Sequence, residues 1–139
     1  MAHKVHPKIF RISRLEDWSS RWFNKKNFAK NLEEDFKIRQ FFHKKLKDAW
    51  IEKIEIERFP DKLVVYIFTA RPGIIIGRGG KGVEELKKQL EKEVFGGQKE
   101  GLKLEIKEVR EFWKSASLAA QWIANQIERR VPFRRVIKQ

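Results

Sequence analysis

The residues best suited to chemistry form one run near the middle of the chain, Gly77-Arg78-Gly79-Gly80-Lys81-Gly82. Glycines interleaved with two cations let main-chain N–H groups approach an anion with no Cβ in the way, while Arg78 and Lys81 add full positive charge. The run formally satisfies G-x-G-x-x-G, but a dinucleotide fingerprint needs a strand feeding directly into the loop and several βαβ units. Here a strand pattern ends near Thr69, Ala70-Arg71-Pro72-Gly73 intervenes, and too few strands are available. A Walker-type loop is excluded because Gly80-Lys81 is followed by Gly82 in place of Ser or Thr. The fitting alternative is a helix-turn-helix. Pro72 and Gly73 open a helical turn through Ile74-Ile75-Ile76, the chain reverses at G-R-G-G, and a second helix starts near Lys81, its N-terminus adding partial positive charge. Gly77, Arg78, Gly79, Gly80 and Lys81 then form a cradle for a sugar-phosphate backbone. Two plainer readings share the pattern: a tight turn without a ligand, and a short buried strand for the three isoleucines.

Composition points the same way. The 139 residues carry a formal net charge of +13 with 19 acidic side chains still present, which is a basic surface on a folded chain and predicts a polyanionic partner. Two stretches concentrate that charge. Residues 1–14 hold Lys4, Lys8, Arg11 and Arg14 without an acidic residue, and with Pro7 read as an extended basic arm. Residues 129–138 hold Arg129, Arg130, Arg134, Arg135 and Lys138, again without an acid, a phosphate-facing signature that carries no base specificity. No catalytic constellation appears, since acids such as Glu84-Glu85 interleave with Lys87-Lys88 as on a salt-bridged helix surface, so no enzyme is expected. The absence of cysteine removes disulfides and thiolate metal sites, and His3 and His6 are better suited to polar contacts than to a metal; no cofactor is expected. Neither a signal peptide nor an apolar run approaching about 18 residues is present, which predicts a cytoplasmic chain outside the membrane.

The elements that must position these groups follow from periodicity. With Asn27 as N-cap, Phe28, Leu32, Phe36, Phe42, Leu46 and Trp50 fall on one stripe of a first helix, which leaves Phe41 off it. Lys53 to Glu57 alternates as a half-buried strand. Leu63 to Thr69 is apolar on both faces and predicts a central strand covered on both sides. Val83, Leu86, Leu90 and Val94 line a helix that Gly96-Gly97 ends, and Leu102, Leu104 and Ile106 mark a third strand. Ser115 caps a last helix with the stripe Ala116, Ala119, Ala120, Ile123 and Ile127, leaving Trp122 outside it; Pro132 ends or kinks that helix before the basic cluster. The chain divides into an arm with aromatic anchors Trp18, Trp22 and Phe23 (1–26), a central α+β domain (27–112), and a C-terminal helix with a basic tail (113–139).

Several motifs are more specific than the loop. Lys4-Val5-His6-Pro7, Trp18, Trp22-Phe23, Phe36-Lys37-Ile38-Arg39-Gln40, Thr69-Ala70-Arg71-Pro72-Gly73-Ile74-Ile75-Ile76-Gly77 and Glu128-Arg129-Arg130-Val131-Pro132-Phe133-Arg134-Arg135 are spread over the whole chain. Together they resemble the N-terminal part of the S-three family of bacterial small-subunit ribosomal proteins, which carries a type II KH domain. The resemblance implies an α-β-β-α-α-β fold, a three-stranded mixed sheet with helices packed on one face, flanked by the arm and the C-terminal helix. It also implies a structural RNA-binding protein of the ribosomal small-subunit head. Arg134, Arg135 and Lys138 would then lie near the messenger-RNA entrance, and Lys4, His6, Lys8, Arg11, Arg14, Arg71, Arg129 and Arg130 would join the loop as ribosomal-RNA contacts. Ala2-His3 and Pro132 depart from the family pattern. Head proteins S-ten and S-fourteen become partners only where the family's second domain follows, and here the sequence stops at Gln139. The alternative is a free-standing KH protein acting in RNA regulation or ribosome assembly.

Overall fold

The computed structural model describes residues 3–12, 17–97 and 101–138, so Arg14 lies outside the described residues. In chain order these form helix α1 (Pro7–Arg11), strand β1 (Ser20–Arg21), helix α2 (Phe28–Lys45), strands β2 (Ile51–Arg58) and β3 (Leu63–Thr69), helices α3 (Pro72–Ile76) and α4 (Lys81–Phe95), strand β4 (Leu102–Glu108), and helices α5 (Ala116–Glu128) and α6 (Phe133–Ile137). Short 3-10 turns occupy Lys47–Ala49, Arg78–Gly80 and Phe112–Lys114. The helix-strand-strand-helix-helix-strand order read from the patterning is present. Among the described residues, no helix is long and apolar enough to cross a membrane.

The sheet runs β1-β2-β3-β4. Strands β2 and β3 form an antiparallel hairpin, β4 adds parallel to β3, and β1 pairs parallel with β2 through Ser20 and Ile56. Strand β1 is an addition to the three expected, because two residues are too short to show a period. Alternation sorts the side chains: Ile54, Ile56, Leu63, Val65, Ile67 and Leu102 share one face, and all are at most 4% exposed. Ile38, Phe42 and Leu46 of the α2 segment, Ile75 of α3 and Leu90 of α4 close over them as a single core. Each such side chain contributes about 1.5–3 kcal/mol on burial.

The opposite face of β3 lacks the covering layer that its apolar pattern predicts. Lys53 Nζ sits 4.5 Å from the Phe68 ring centroid and Lys107 Nζ 4.2 Å from that of Tyr66. Ion pairs Lys53–Glu55 and Lys103–Glu105, both 2.7 Å, complete this roof. Lysine ammonium groups set over the aromatic rings in cation–π contact let this apolar strand face stand without a second layer.

Two helices present a different face from the one expected. In α2 the buried residues are Asp35, Ile38, Phe41 and Phe42, whereas Phe28, Leu32 and Phe36 are 56%, 52% and 64% exposed. Phe41, expected off the stripe, packs edge-on against Phe42 at 5.2 Å. Apolar side chains lie on both sides of this helix, and the face chosen is the one whose polar member, Asp35, finds partners. In α5 the fully buried side chain is Leu118, Ala116, Ala120 and Ile127 are exposed, and Ala119, Trp122 and Ile123 are half-buried. Alanine methyls offer little area, and the α5 orientation follows Leu118 together with Gln121, whose Nε2 donates to the Ile51 carbonyl at 2.7 Å.

The N-terminal segment also differs from expectation. Pro7 starts helix α1 at its first position in place of keeping the arm extended, and His6 Nδ1 accepts the Lys8 N–H at 3.2 Å as its cap. Proline's fixed φ and missing donor suit that position. Of the three aromatic anchors, Trp22 is held, its Nε1 donating to Asp35 Oδ2 at 2.8 Å; Trp18 and Phe23 are exposed. Asn27 makes no side-chain capping bond. Asn24 Oδ1 shapes the entry to α2 instead, accepting from the N–H groups of Lys26 and Asn27.

Candidate nucleic-acid interface

Helices α3 and α4 meet at the glycine loop, so the three isoleucines form a helical turn and not a strand. Ile75 points into the core at 1% exposed, which fixes α3 on the sheet. Gly77, Gly79 and Gly80 adopt φ values of 66°, 65° and 79°. In that left-handed region a residue with a Cβ loses roughly 1–2 kcal/mol. A Cβ on Gly79 or Gly80 would meet nothing within 4 Å, so an approaching polymer finds bare main chain there. Gly82 has a different reason: its Cβ would lie 2.6 Å from the Ile75 carbonyl oxygen, so glycine lets the first turn of α4 press against α3.

Arg78 and Lys81 flank this opening and are exposed. The structure therefore brings Gly77, Arg78, Gly79, Gly80 and Lys81 together at the N-terminus of α4, whose dipole favours an anion. Arg71, one residue before α3, is also exposed, with its guanidinium carbon 3.8 Å from the Trp50 ring centroid.

The C-terminal group is separate from the loop, because it is carried by α5 and α6. Helix α5 stops at Glu128, Arg130 adopts φ 62°, and the N–H groups of Arg130 and Val131 return to the Ile127 and Gln126 carbonyls at 2.8 and 3.1 Å. Pro132 then caps α6, which Val136, 2% exposed, fastens to the body. Arg129, Arg130, Arg134, Arg135 and Lys138 are all exposed, and among the described residues none joins an ion pair. The left-handed position after a helix ordinarily belongs to glycine. Arg130→Gly is expected to leave the fold equally stable or to raise its unfolding free energy by up to about 1 kcal/mol in a denaturant titration, glycine's extra chain entropy offsetting part of the relief. A clear loss of stability would mean that the Arg130 side chain holds the fold. Lys4, His6, Lys8 and Arg11 are exposed on or beside α1, which buries no residue.

Sequence reasoning missed Asp35, which is fully buried and joins three segments. Its Oδ2 accepts from Ser20 Oγ and Trp22 Nε1, and its Oδ1 from Arg58 Nε at 2.9 Å. One aspartate among the many charged residues of α2 gives no periodic signal. Trp50, expected on the stripe of the first helix, lies beyond the end of α2 in a left-handed conformation at φ 53° beneath Arg71, because the helix stops at Lys45.

Comparison with known proteins agrees with this geometry. The chain is 51% identical over 140 residues to small ribosomal subunit protein uS3 of Caldicellulosiruptor saccharolyticus, the match covering 100% of this chain and 62% of the relative. It is 46% identical over 143 residues to the uS3 protein of Myxococcus xanthus, covering 100% of the chain and 61% of the relative. It is 44% identical over 140 residues to that of Clostridium botulinum. The chain thus spans about three fifths of the length of the curated relatives it matches. The sequence signature of the KH domain matches residues 37–114, from the middle of α2 through β4 to the turn before α5 and so across the whole glycine loop. A glycine turn between two helices, set on a β2-β3-β4 sheet and matched over more than half the chain, makes this protein a member of the KH-domain family.

Proposed function

We propose that this chain is the KH-bearing part of a structural protein of the small ribosomal subunit, a binding component and not a catalyst, working on the ribosome in the cytoplasm. The observation that carries the reading is the pairing of an unobstructed glycine loop between two exposed cations with identity to uS3 proteins along the entire chain. In this reading Gly77 to Lys81, Arg71, Arg129, Arg130 and the arm from Lys4 to Arg14, with His6, contact ribosomal RNA. Arg134, Arg135 and Lys138 face messenger RNA near its entrance. The central domain is 27–112. Where the remaining two fifths of the relatives' length is present, neighbouring head proteins S-ten and S-fourteen are met through it.

The arrangement suits shape and charge more than sequence, because the loop N–H groups and the clustered arginines and lysines suit phosphate oxygens. Sedimentation of the tagged protein in a lysate tests the ribosomal reading: stoichiometric migration with small subunits through a moderate salt wash is expected. Predominantly free protein would favour a free-standing KH protein acting in regulation or assembly. For the entrance cluster, alanine at both Arg134 and Arg135 is expected to lower the slope of log K against log salt on single-stranded RNA by about 1.4, two phosphate contacts at roughly 0.7 each. It is also expected to slow translation through a stable hairpin. An unchanged slope would remove these two side chains from the interface.

A further inference from the structure

We propose that Arg71, stacked on Trp50, is a platform on which one unpaired RNA base stacks beside the glycine loop, an inference that rests on the RNA-binding reading above. The guanidinium carbon lies over the Trp50 ring at 3.8 Å from its centroid, and the Arg71 side chain is exposed to solvent. Among the described residues Arg71 joins no ion pair, and its only ring contact is Trp50. A guanidinium is weakly hydrated and stacks on π-systems through its face, which suits it to a base.

The support beneath it is built. Trp50 holds φ 53°, a conformation that a bulky side chain adopts only when its surroundings enforce it. Three hydrogen bonds enforce it: the Ala70 N–H donates to the Trp50 carbonyl at 3.2 Å, Thr69 Oγ1 donates to the Ala49 carbonyl, and the Arg71 N–H donates to Thr69 Oγ1 at 3.1 Å. Phe112 also packs on the indole, ring centroids 5.3 Å apart in a tilted contact, so Trp50 is held in place beneath the exposed Arg71.

Placement and charge select a base over a phosphate. Arg71 directly precedes the five residues of α3, which at about 1.5 Å per residue put the glycine loop roughly 8 Å away, close enough for one strand to touch both. Glu108 stands opposite Thr69 in the sheet register, two residues before Arg71, and an acidic residue on the adjoining strand disfavours a phosphate over a neutral base. Nearby Glu111 is neutralised by Lys114.

Fluorescence anisotropy with a labelled single-stranded RNA and an abasic oligomer of the same length tests the platform. Arg71→Lys keeps the charge and removes the plane; Trp50→Gly accepts the left-handed backbone without strain and removes the support. Both variants are expected to bind the intact RNA about tenfold more weakly than wild type, as for loss of one stacked base, while their abasic binding stays within about twofold, which also reports a folded loop. Equal losses on both oligomers, or none on either, would overturn the platform and leave the loop reading standing. Wild type that binds neither oligomer would overturn both.

Discussion

Alanine at Asp35 is expected to lower the unfolding free energy by about 3–5 kcal/mol, the usual result of removing one partner from a buried charge pair. The carboxylate is fully buried, and it is the point at which the N-terminal segment, α2 and β2 meet. Without it, the Arg58 guanidinium, only 11% exposed, keeps Glu34 at 2.7 Å and the Asn31 carbonyl at 3.2 Å but loses the acceptor of two of its donors. Arg39 loses support as well. Burial pulls its pKa below the ordinary arginine value, and Asp35 is the charge that opposes the shift. The released elements are β1 and Trp22, so residues 17–23 should gain amide exchange before the rest of the sheet does. Asp35→Asn, which still accepts hydrogen bonds, should fall between wild type and alanine. A denaturant titration showing a loss under about 1 kcal/mol would mean that Glu34 alone satisfies Arg58 and that the hub is dispensable.

Gly82→Ala is expected to cost about 2–3 kcal/mol, at the upper end for overpacking, and to weaken RNA binding with it. The added methyl would stand 2.6 Å from the Ile75 carbonyl oxygen and 2.9 Å from that of Ile76, both backbone atoms that cannot swing aside. Relief requires α3 and α4 to separate, which splays the loop they hold. Gly79→Ala supplies the contrast, since its Cβ meets nothing within 4 Å and only the positive φ is penalised, about 1–2 kcal/mol. The two variants measured side by side by thermal unfolding should rank Gly82→Ala as the more damaging. The reverse order would show that the helices have slack at their junction.

These two glycines illustrate how unevenly the site was legible. The loop was readable because glycine, arginine and lysine at that spacing state their chemistry locally, and because Pro72 and the length of the following helical pattern mark where helices begin. Its backbone conformations follow directly: Gly77, Gly79 and Gly80 take the left-handed region that only glycine occupies cheaply. Gly82 belongs to the same run of letters, yet its reason is the approach of a second helix. The same division holds for the cations. Arg134 and Arg135 were identifiable by the absence of acids around them, whereas the stack of Arg71 on Trp50 depends on a turn 21 positions earlier in the sequence adopting φ 53°.

Sequence alone determined the order of the elements, the faces of β2 and β4, the loop and the basic stretches, because each is set by spacing within one short segment. Alternation along β2 and β4 left one consistent choice of core face, whereas β3, apolar on both sides, took its face from its neighbours. Helices α2 and α5 allowed two, since each carries apolar residues on more than one side, and the choice fell to what packs against them. For α2 that is Ile54, Ile56 and Ser20 to Trp22, which bury Ile38, Phe42 and Asp35 and leave Phe28, Leu32 and Phe36 outside. The Asp35 hub, the added strand β1 and the Arg71 stack arose with the assembled fold for the same reason: each joins residues far apart in the chain, and no local period records which distant partner a side chain will meet.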